Sequence, residues 1–363
     1  MEAGNNPLVY AVVLNWNNYA QTKMCLESLQ KVPYPNLKVV VVDNASHDDS
    51  GKRLQAEFSQ HEFVFNEDNL GFARGCNRGI RVALDDRECA YALLLNNDLE
   101  VEAEFLEPAV KAAEQDRSVG LVTGKILFGD RRNVIWQAGG YIDGIRIQGI
   151  PRGWDEVDAG QCDAAGETNW ASGAMLLIPR ATLDKVGLLP EEYFFGVEEW
   201  DYSTSVKKAG LKIMYVPDFK GYHHAGGSYK AGHPVLIVYN GIRNKLIYAQ
   251  KHLSAPAWFA WKLLFRCYLQ FGWPKRARWG CRTEADYEAR LKAARLAYAD
   301  HRGVCRIELN DLKRAGQAIG PTPTWGNGWG PATQYQKPGC EGGPVSLEAL
   351  PHSRASDDVE VEP

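Results

Sequence analysis

The stretch "YALLLNNDLE", residues 91–100, decides how this chain folds. Ala92 to Leu95 are continuously apolar, the mark of a strand covered on both faces, and such strands belong to parallel sheets. The run then stops on two amides and a carboxylate, Asn96, Asn97 and Asp98. A polar strand end can be a chain that is surfacing. It can also be a ligand site, because open α/β sheets place their binding crevices outside the carboxyl ends of the strands.

Two earlier runs end the same way. "LVYAVVLNWNN" (8–18) passes into amides at Asn15, and "LKVVVVDNAS" (37–46) into Asp43. One polar strand end is unremarkable; three in register predict one crevice. Between them, Met24, Leu26, Leu29 and Val32 predict a helix over 19–31, stopped by Pro33. Ser46-x-x-Asp49 predicts a cap for a helix over 48–60. "EFVFNEDNLGFARGCNRGI" (62–80) holds a short strand, a Gly-rich turn and a helix starting near Phe72. A helix over 103–116 and a strand over 118–126 follow. Residues 127–170 are Gly-rich and read as irregular. A strand and short helix over 172–187, a helix over 197–210 and a strand over 211–217 complete the alternation. The expected class is α/β, a mostly parallel sheet flanked by helices.

Bulk properties narrow the function. The net charge is −4, which excludes a strongly basic nucleic-acid binder. The charge is unevenly spread: −10 over residues 1–242, +10 over 243–315 and −4 over 316–363. The eight cysteines form no C-x-x-C pair, so neither a zinc knuckle nor a redox motif is expected. "MEAGNNPLVYAVV" lacks a basic region and cleavage site, and reduced thiols in a cytoplasmic protein are the expectation. No window reaches the roughly 18 apolar residues of a membrane span.

Several residues carry chemistry on their own. Asp98, with Asn96 and Asn97, offers oxygen ligands to a hard cation that keeps water and bridges phosphates, or it closes an Asx turn. Asp43 can accept a hydrogen bond from the imide N–H of uracil or thymine, or cap a helix. Gly71, Gly75 and Gly79 permit a tight turn and close approach, but their spacing is neither G-x-G-x-x-G nor a P-loop. Glu198 and Glu199 open a helix. They are dipole partners, or adjacent carboxylates that raise one another's proton affinity as a general base requires. "YHHAGGSYK" (222–230) is a surface loop or a source of imidazole ligand.

In sequence order, "VVLNWNN", "VVVDNAS", "NLGFARGCN", "LLLNNDLE", "SGAMLLI", "FFGVEEWD" and "GYHHAGGS" resemble a family 2 glycosyltransferase of the GT-A fold. The rhamnosyltransferase-like branch is nearest, and the resemblance spans about residues 7–250. It implies that Asp43 reads the pyrimidine, with Asn15 near the nucleotide, and that Asn69, Gly71 and Asn77 line the nucleotide-sugar pocket. The family's D-x-D motif falls on Asn96, Asn97 and Asp98. Asn stands at its first position, Asn97 is counted with the donor-binding residues, and Asp98 is the ligand of Mg²⁺ or Mn²⁺. The family's E-D pair falls on Glu198 and Glu199, which makes Glu199 the base, one methylene longer than the family's Asp. The metal-binding His, five residues before a Ser, matches His223 with Ser228, and His224 competes for the part. The implied reaction is inverting. It moves a sugar from a dTDP- or UDP-linked donor, dTDP-rhamnose among them, to a hydroxyl of a glycan or lipid-linked acceptor. A sugar-phosphate nucleotidyltransferase would carry a Gly-rich, Arg-containing loop after its first strand, which "LNWNNYAQ" is not. A sugar-binding module that has lost its chemistry is the third reading.

These readings divide the chain into a catalytic domain (1–250), a helical basic-aromatic extension (251–314) and a disordered tail (315–363). In "WFAWKLLFRCYLQFGW" (258–273), Lys262, Arg266 and Gln270 form a polar stripe on an aromatic helix, and Pro274 is expected to stop it. With "KRARWGCR" (275–282), this arm suits the anionic cytoplasmic face of a membrane, or packs on the body or on a second subunit.

Overall fold

The structure is a computed structural model and describes residues 6–224, 234–279, 281 and 283–301. Strands β1 (Leu8–Asn15), β2 (Leu37–Asp43), β3 (Glu62–Phe65) and β4 (Cys89–Asn96) run parallel, in the spatial order β4-β1-β2-β3. Beyond β4 the sheet continues through β11 (Met175–Pro179), antiparallel to its neighbours. It then passes to β6 (Val119–Phe128), β12 (Lys212–His223) and β10 (Gly166–Glu167). A short β5 (Leu99–Val101) pairs with the end of β12, and β7 (Ile135–Ala138) with β6.

The apolar runs divide cleanly by parity, because successive strand side chains point to opposite faces. Val9, Ala11, Val13, Val39, Val41, Leu93 and Leu95 pack on one face, under helices α1 (Tyr19–Leu29), α2 (Ser50–Glu57) and α4 (Leu106–Gln115). Tyr10, Val12, Val40, Val42, Ala92 and Leu94 pack on the other, under α3 (Phe72–Asp85), α5 (Arg180–Val186) and α6 (Glu198–Lys208). Two of the three glycines of the turn serve this packing. A Cβ on Gly79 would lie 2.4 Å from Val12, and one on Gly75 2.6 Å from Leu14, so α3 is seated directly on the sheet.

The structure differs from the sequence reading in four places. Residues 127–170 are not irregular throughout: they hold β7, a hairpin of β8 (Gly140–Asp143) and β9 (Gln148–Pro151), and β10. Strands of two to four residues give no readable alternation. Ser46 does not cap α2. Its hydroxyl lies 3.1 Å from Asn15 Nδ2 and accepts the Asn17 amide instead, so α2 starts only at Ser50. The last strand does not stop at 217. A register shift between Val216 and Lys220 absorbs Pro217 and carries β12 on to His223. Finally, Pro274 does not end its helix.

The C-terminal part is helical, with α7 (Pro234–His252), α8 (Ala255–Cys267), a π turn (Tyr268–Gly272), α9 (Trp273–Arg278) and α10 (Glu284–Asp300). In the π turn the Trp273 N–H reaches back to Tyr268 O, and that wider turn lets the helix run through Pro274. Trp258, Trp261, Phe265, Leu269 and Trp273 face inward, against Val235, Tyr239, Ile242 and Leu246 of α7 and Ala293, Ala294 and Ala297 of α10. The expected polar stripe is broken at its first member. Lys262 Nζ is drawn inward, 5.2 Å from the centre of the Trp258 ring and 3.3 Å from His301 Nε2. The tail over 315–363 and Ser228 lie outside the described residues. The six described cysteines form no disulfide with one another.

Candidate active site

Sheet register brings the three polar strand ends together. Asn15 is paired with Asp43 across β1 and β2, and Leu14 with Asn96 across β1 and β4. Asn15 is fully buried, and its side chain is occupied by its neighbours. Nδ2 donates to Asp43 Oδ1 at 2.7 Å and to Ser50 Oγ at 2.9 Å, while Oδ1 lies 2.8 Å from Thr22 Oγ1. Thr22 in turn accepts from Asn97 Nδ2 at 2.8 Å. One hydrogen-bonded line thus runs from Asn97 through Thr22 and Asn15 to Asp43. The second Asp43 oxygen accepts the Ser46 amide at 3.0 Å. Asn15 and Asn97 therefore hold this wall in place.

Asn44, which sequence reasoning passed over, organises the Gly-rich turn. Its amide donates to Asn69 Oδ1 and to Gly71 O, and its oxygen accepts from Asn66 and from the Leu70 amide. Gly71 is required there twice over. Its φ is +79°, and a Cβ would lie 2.3 Å from Phe194 O. That same Phe194 carbonyl accepts the first N–H of α3, so the helix start is capped from within the protein. Asn77 is fully buried and faces away from the crevice. It holds both the carbonyl and the amide of Leu189, and its Nδ2 also reaches Glu191. It ties α3 to the segment that leads to Glu198.

Asp98 and His223 meet because β5 pairs with β12, placing Leu99 opposite His223. His223 Nε2 lies 2.9 Å from Asp98 Oδ1. The contact is an ion pair, and the other ring nitrogen, His223 Nδ1, is buried without a hydrogen-bond partner among the described residues. Burial works to raise the Asp98 carboxyl, but the adjacent His223 outweighs it, and the group lies below the usual carboxylate range. His224 turns elsewhere, its Nε2 3.3 Å from Glu100 Oε2. A carboxylate oxygen and an imidazole nitrogen 2.9 Å apart suit part of a divalent-cation site. Among the described residues no cluster of three or more such ligands exists, so water and substrate oxygens would complete the shell.

On the far side of β4, the Asn96 amide donates to Ala174 O at 2.9 Å. Next to it, the space above Gly173 is bounded by Phe72 and by Glu199 Cβ. Glu199 therefore lies beside the same strand ends. It stands in the first turn of α6, after two residues with left-handed backbone, Gly196 and Val197, both at φ +81°. A β-branched residue there is strained by roughly 1–3 kcal/mol. The strain is held by α7: Asn244 Nδ2 donates to Phe195 O at 3.0 Å and Gly196 O at 2.6 Å, and Arg243 donates to Glu192 O. Burial pushes the Glu199 carboxyl up to about 7. Glu198 is deeper, and burial followed by repulsion from Glu199 raises it well above the ordinary range; its Oε2 has no hydrogen-bond partner.

The family model described as glycosyl transferase family 2 matches residues 10–169, which run from Tyr10 in β1 past β10 and include the three polar strand ends. That match takes in a little under half of the chain. Curated relatives agree with it. The low-salt glycan biosynthesis hexosyltransferase Agl10 of Haloferax volcanii is 24% identical over 174 residues, 48% of this chain and 54% of that protein. The N-acetylglucosaminyl-diphospho-decaprenol L-rhamnosyltransferase of Mycobacterium tuberculosis is 37% identical over 59 residues, 16% of this chain and 19% of that protein. The chain thus spans about half or less of the length of the curated relatives it matches. Among solved structures, GalNAc-T7 with UDP, GalNAc and Mn²⁺ aligns with a TM-score of 0.56 at 15% identity, over 87% of this chain and 57% of that one. At that identity the likeness is one of fold, and the fold is GT-A. The matched stretch contains Asn15, Asp43, Asn69, Gly71, Asn77, Asn97 and Asp98. Glu198, Glu199, His223 and Asn244 come from the elements packed against it. No sequence signal marked Asn44, Thr22 or Asn244, because amides and hydroxyls that bond to backbone carry no spacing of their own.

Proposed function

We propose that this protein transfers a sugar from a nucleoside-diphosphate donor to a hydroxyl of a glycan or lipid-linked acceptor, by one in-line displacement that inverts the anomeric centre. The observation that carries the reading is the gathering of Asp43, the Asp98–His223 pair and Glu199 around the carboxyl ends of β2, β1 and β4. Asp43 receives the imide N–H of a uracil or thymine base, its carboxylate oriented by Asn15 and the Ser46 amide. Asp98 and His223 would hold Mg²⁺ or Mn²⁺. When bound, that ion would act as a Lewis acid on the leaving diphosphate. Glu199 takes the proton of the acceptor hydroxyl. A carboxyl raised to about 7 is a stronger base than an ordinary Glu, and it is ionised above that pH. Glu198 keeps its own proton longer, so only one negative charge occupies the pair while Glu199 works. The relatives' printed activities, a hexosyltransferase and an L-rhamnosyltransferase on a decaprenol diphosphate, support a hexose or deoxyhexose donor and a lipid-linked acceptor.

The test is Glu199→Gln, which keeps the shape and removes the base. Transfer is expected to fall by about 10²–10⁴-fold, while UDP or dTDP titrated calorimetrically binds as to the parent protein. Turnover at the parental rate would remove Glu199 from the role.

A further inference from the structure

The inward face of α8 is covered by α7 and α10; its outward face is equally apolar and covered by nothing among the described residues. Phe259, Leu264 and Phe271 are 75%, 69% and 69% exposed, with Leu263 and Tyr268 between them. At 3.6 residues per turn, positions 259, 263, 264, 267 and 271 share one side of the helix. Scattered exposed apolar residues are normal, but a contiguous set marks a contact surface.

The charge around this face points to its occupant. The whole stretch from Phe219 to Thr283 contains no Asp or Glu. Arg266 borders the apolar face from within α8, and Lys275, Arg276 and Arg278 follow on α9. Arg278 pairs with Glu284. Arg266 and Lys275 have no ion pair among the described residues. Trp279 closes the segment, 54% exposed. No described helix is long and apolar enough to cross a membrane. An apolar centre with a cationic rim, on a helix too short and too charged to span, matches a helix lying in the plane of a lipid interface. A second copy would fit poorly, because a two-fold contact would bring like charge against like charge.

We propose that the outward face of α8, with the basic turn of α9, seats this chain on an anionic lipid surface. The docking helix also backs onto the active site. Trp258 and Trp261 pack into the cluster that contains Trp170, Tyr193, Val197 and Trp200, and Trp261 Nε1 donates to Ile145 O. Val197 and Trp200 flank Glu198 and Glu199. The seat therefore brings the proposed base to the lipid boundary, where a hydroxyl on a lipid-linked acceptor would be presented. The surface itself uses none of the residues assigned to transfer, so it stands or falls separately from that reading.

The experiment is flotation of the full 363-residue chain with phosphatidylcholine vesicles, with and without phosphatidylglycerol, at low and high salt. Leu263→Glu/Leu264→Glu and Arg266→Glu/Lys275→Glu are run beside it. The parent protein is expected to float only with phosphatidylglycerol present, and to be released by salt. Each double variant should bind about tenfold or more weakly. Melting temperature and slow hydrolysis of a soluble nucleotide-sugar should be unchanged. Absence of flotation on anionic vesicles, or equal flotation of parent and variants, would overturn the proposal. So would a dimer in light scattering that Leu263→Glu/Leu264→Glu splits, because a second copy would then occupy the face.

Discussion

Glu198 and Glu199 store a pH dependence in the stability of the fold. A carboxyl whose folded value is raised contributes stability below its unfolded value and loses it as pH climbs through the folded one. For Glu199 that window runs from about 4.5 to about 7, and for Glu198 it extends upward from the same start. Glu198→Gln keeps the volume and removes the charge. Its melting temperature should match the parent's near pH 4.5 and exceed it by a few degrees at pH 8, since each tenfold gain in proton affinity on folding corresponds to about 1.4 kcal/mol. An equal difference at both pH values would mean that Glu198 is not held protonated. At this scale the structure brings the acids named from the sequence to one end of the sheet, and engages the named amides with other protein groups. Asp43, Asp98, Glu199 and His223 are drawn to one end of the sheet because side chains of that charge are tolerated at strand ends and helix starts. Asn15, Asn77 and Asn97 were read as facing a ligand, yet each is engaged by other protein groups. An amide donates and accepts equally well toward a ligand or toward a neighbouring backbone, so its type and position alone do not distinguish the two uses.

The loop from Glu192 to Val197 is the element on which the proposed base depends. It enters α6 through two left-handed residues, and Asn244 is its clamp from α7. Asn244→Ala would leave two loop carbonyls unpaired, at about 1–3 kcal/mol. The loop should relax toward an unstrained Val197, and kcat should fall by about tenfold or more with nucleotide affinity unchanged. Equal losses in kcat and in calorimetric nucleotide binding would assign Asn244 to the general stability of the fold. The β/α alternation up to β6 was legible because strands buried on both faces read as unbroken apolar runs. The strands between 135 and 167 were not, being two to four residues long and rich in glycine. The extension of β12 was hidden by Pro217, which reads as a stop until a bulge is known to accommodate it. Pro274 misled in the same way, because a π turn leaves no trace in spacing.

For the whole molecule, donor and cation should bind as a coupled pair. In the proposed site only Asp98 and His223 of the described residues would hold the cation, so the diphosphate and water would complete the shell. In thermal-shift measurements after chelation, Mn²⁺ alone should stabilise little and UDP alone modestly. Together they should exceed the sum, approaching about 2.7 kcal/mol when free ligand is 100 times its Kd. Asp98→Asn should abolish the surplus and leave the UDP shift. Additive shifts in the parent protein would dissociate the ion from the donor. The arm was legible as basic and aromatic, but the stripe of Lys262, Arg266 and Gln270 is broken at Lys262, which turns in, and apolar residues line both the inward and the outward side. Only the partners of α8, in α7 and α10, decide which side is which. The line from Asn97 through Thr22 and Asn15 to Asp43 has a further consequence. In the proposed site this bonded line joins Asp43, assigned to the nucleobase, to the phosphate end, so the spacing between them would be set before a donor arrives. Such a site would work as a gauge, favouring donors whose base and bridging phosphates span that gap and losing little entropy in receiving them.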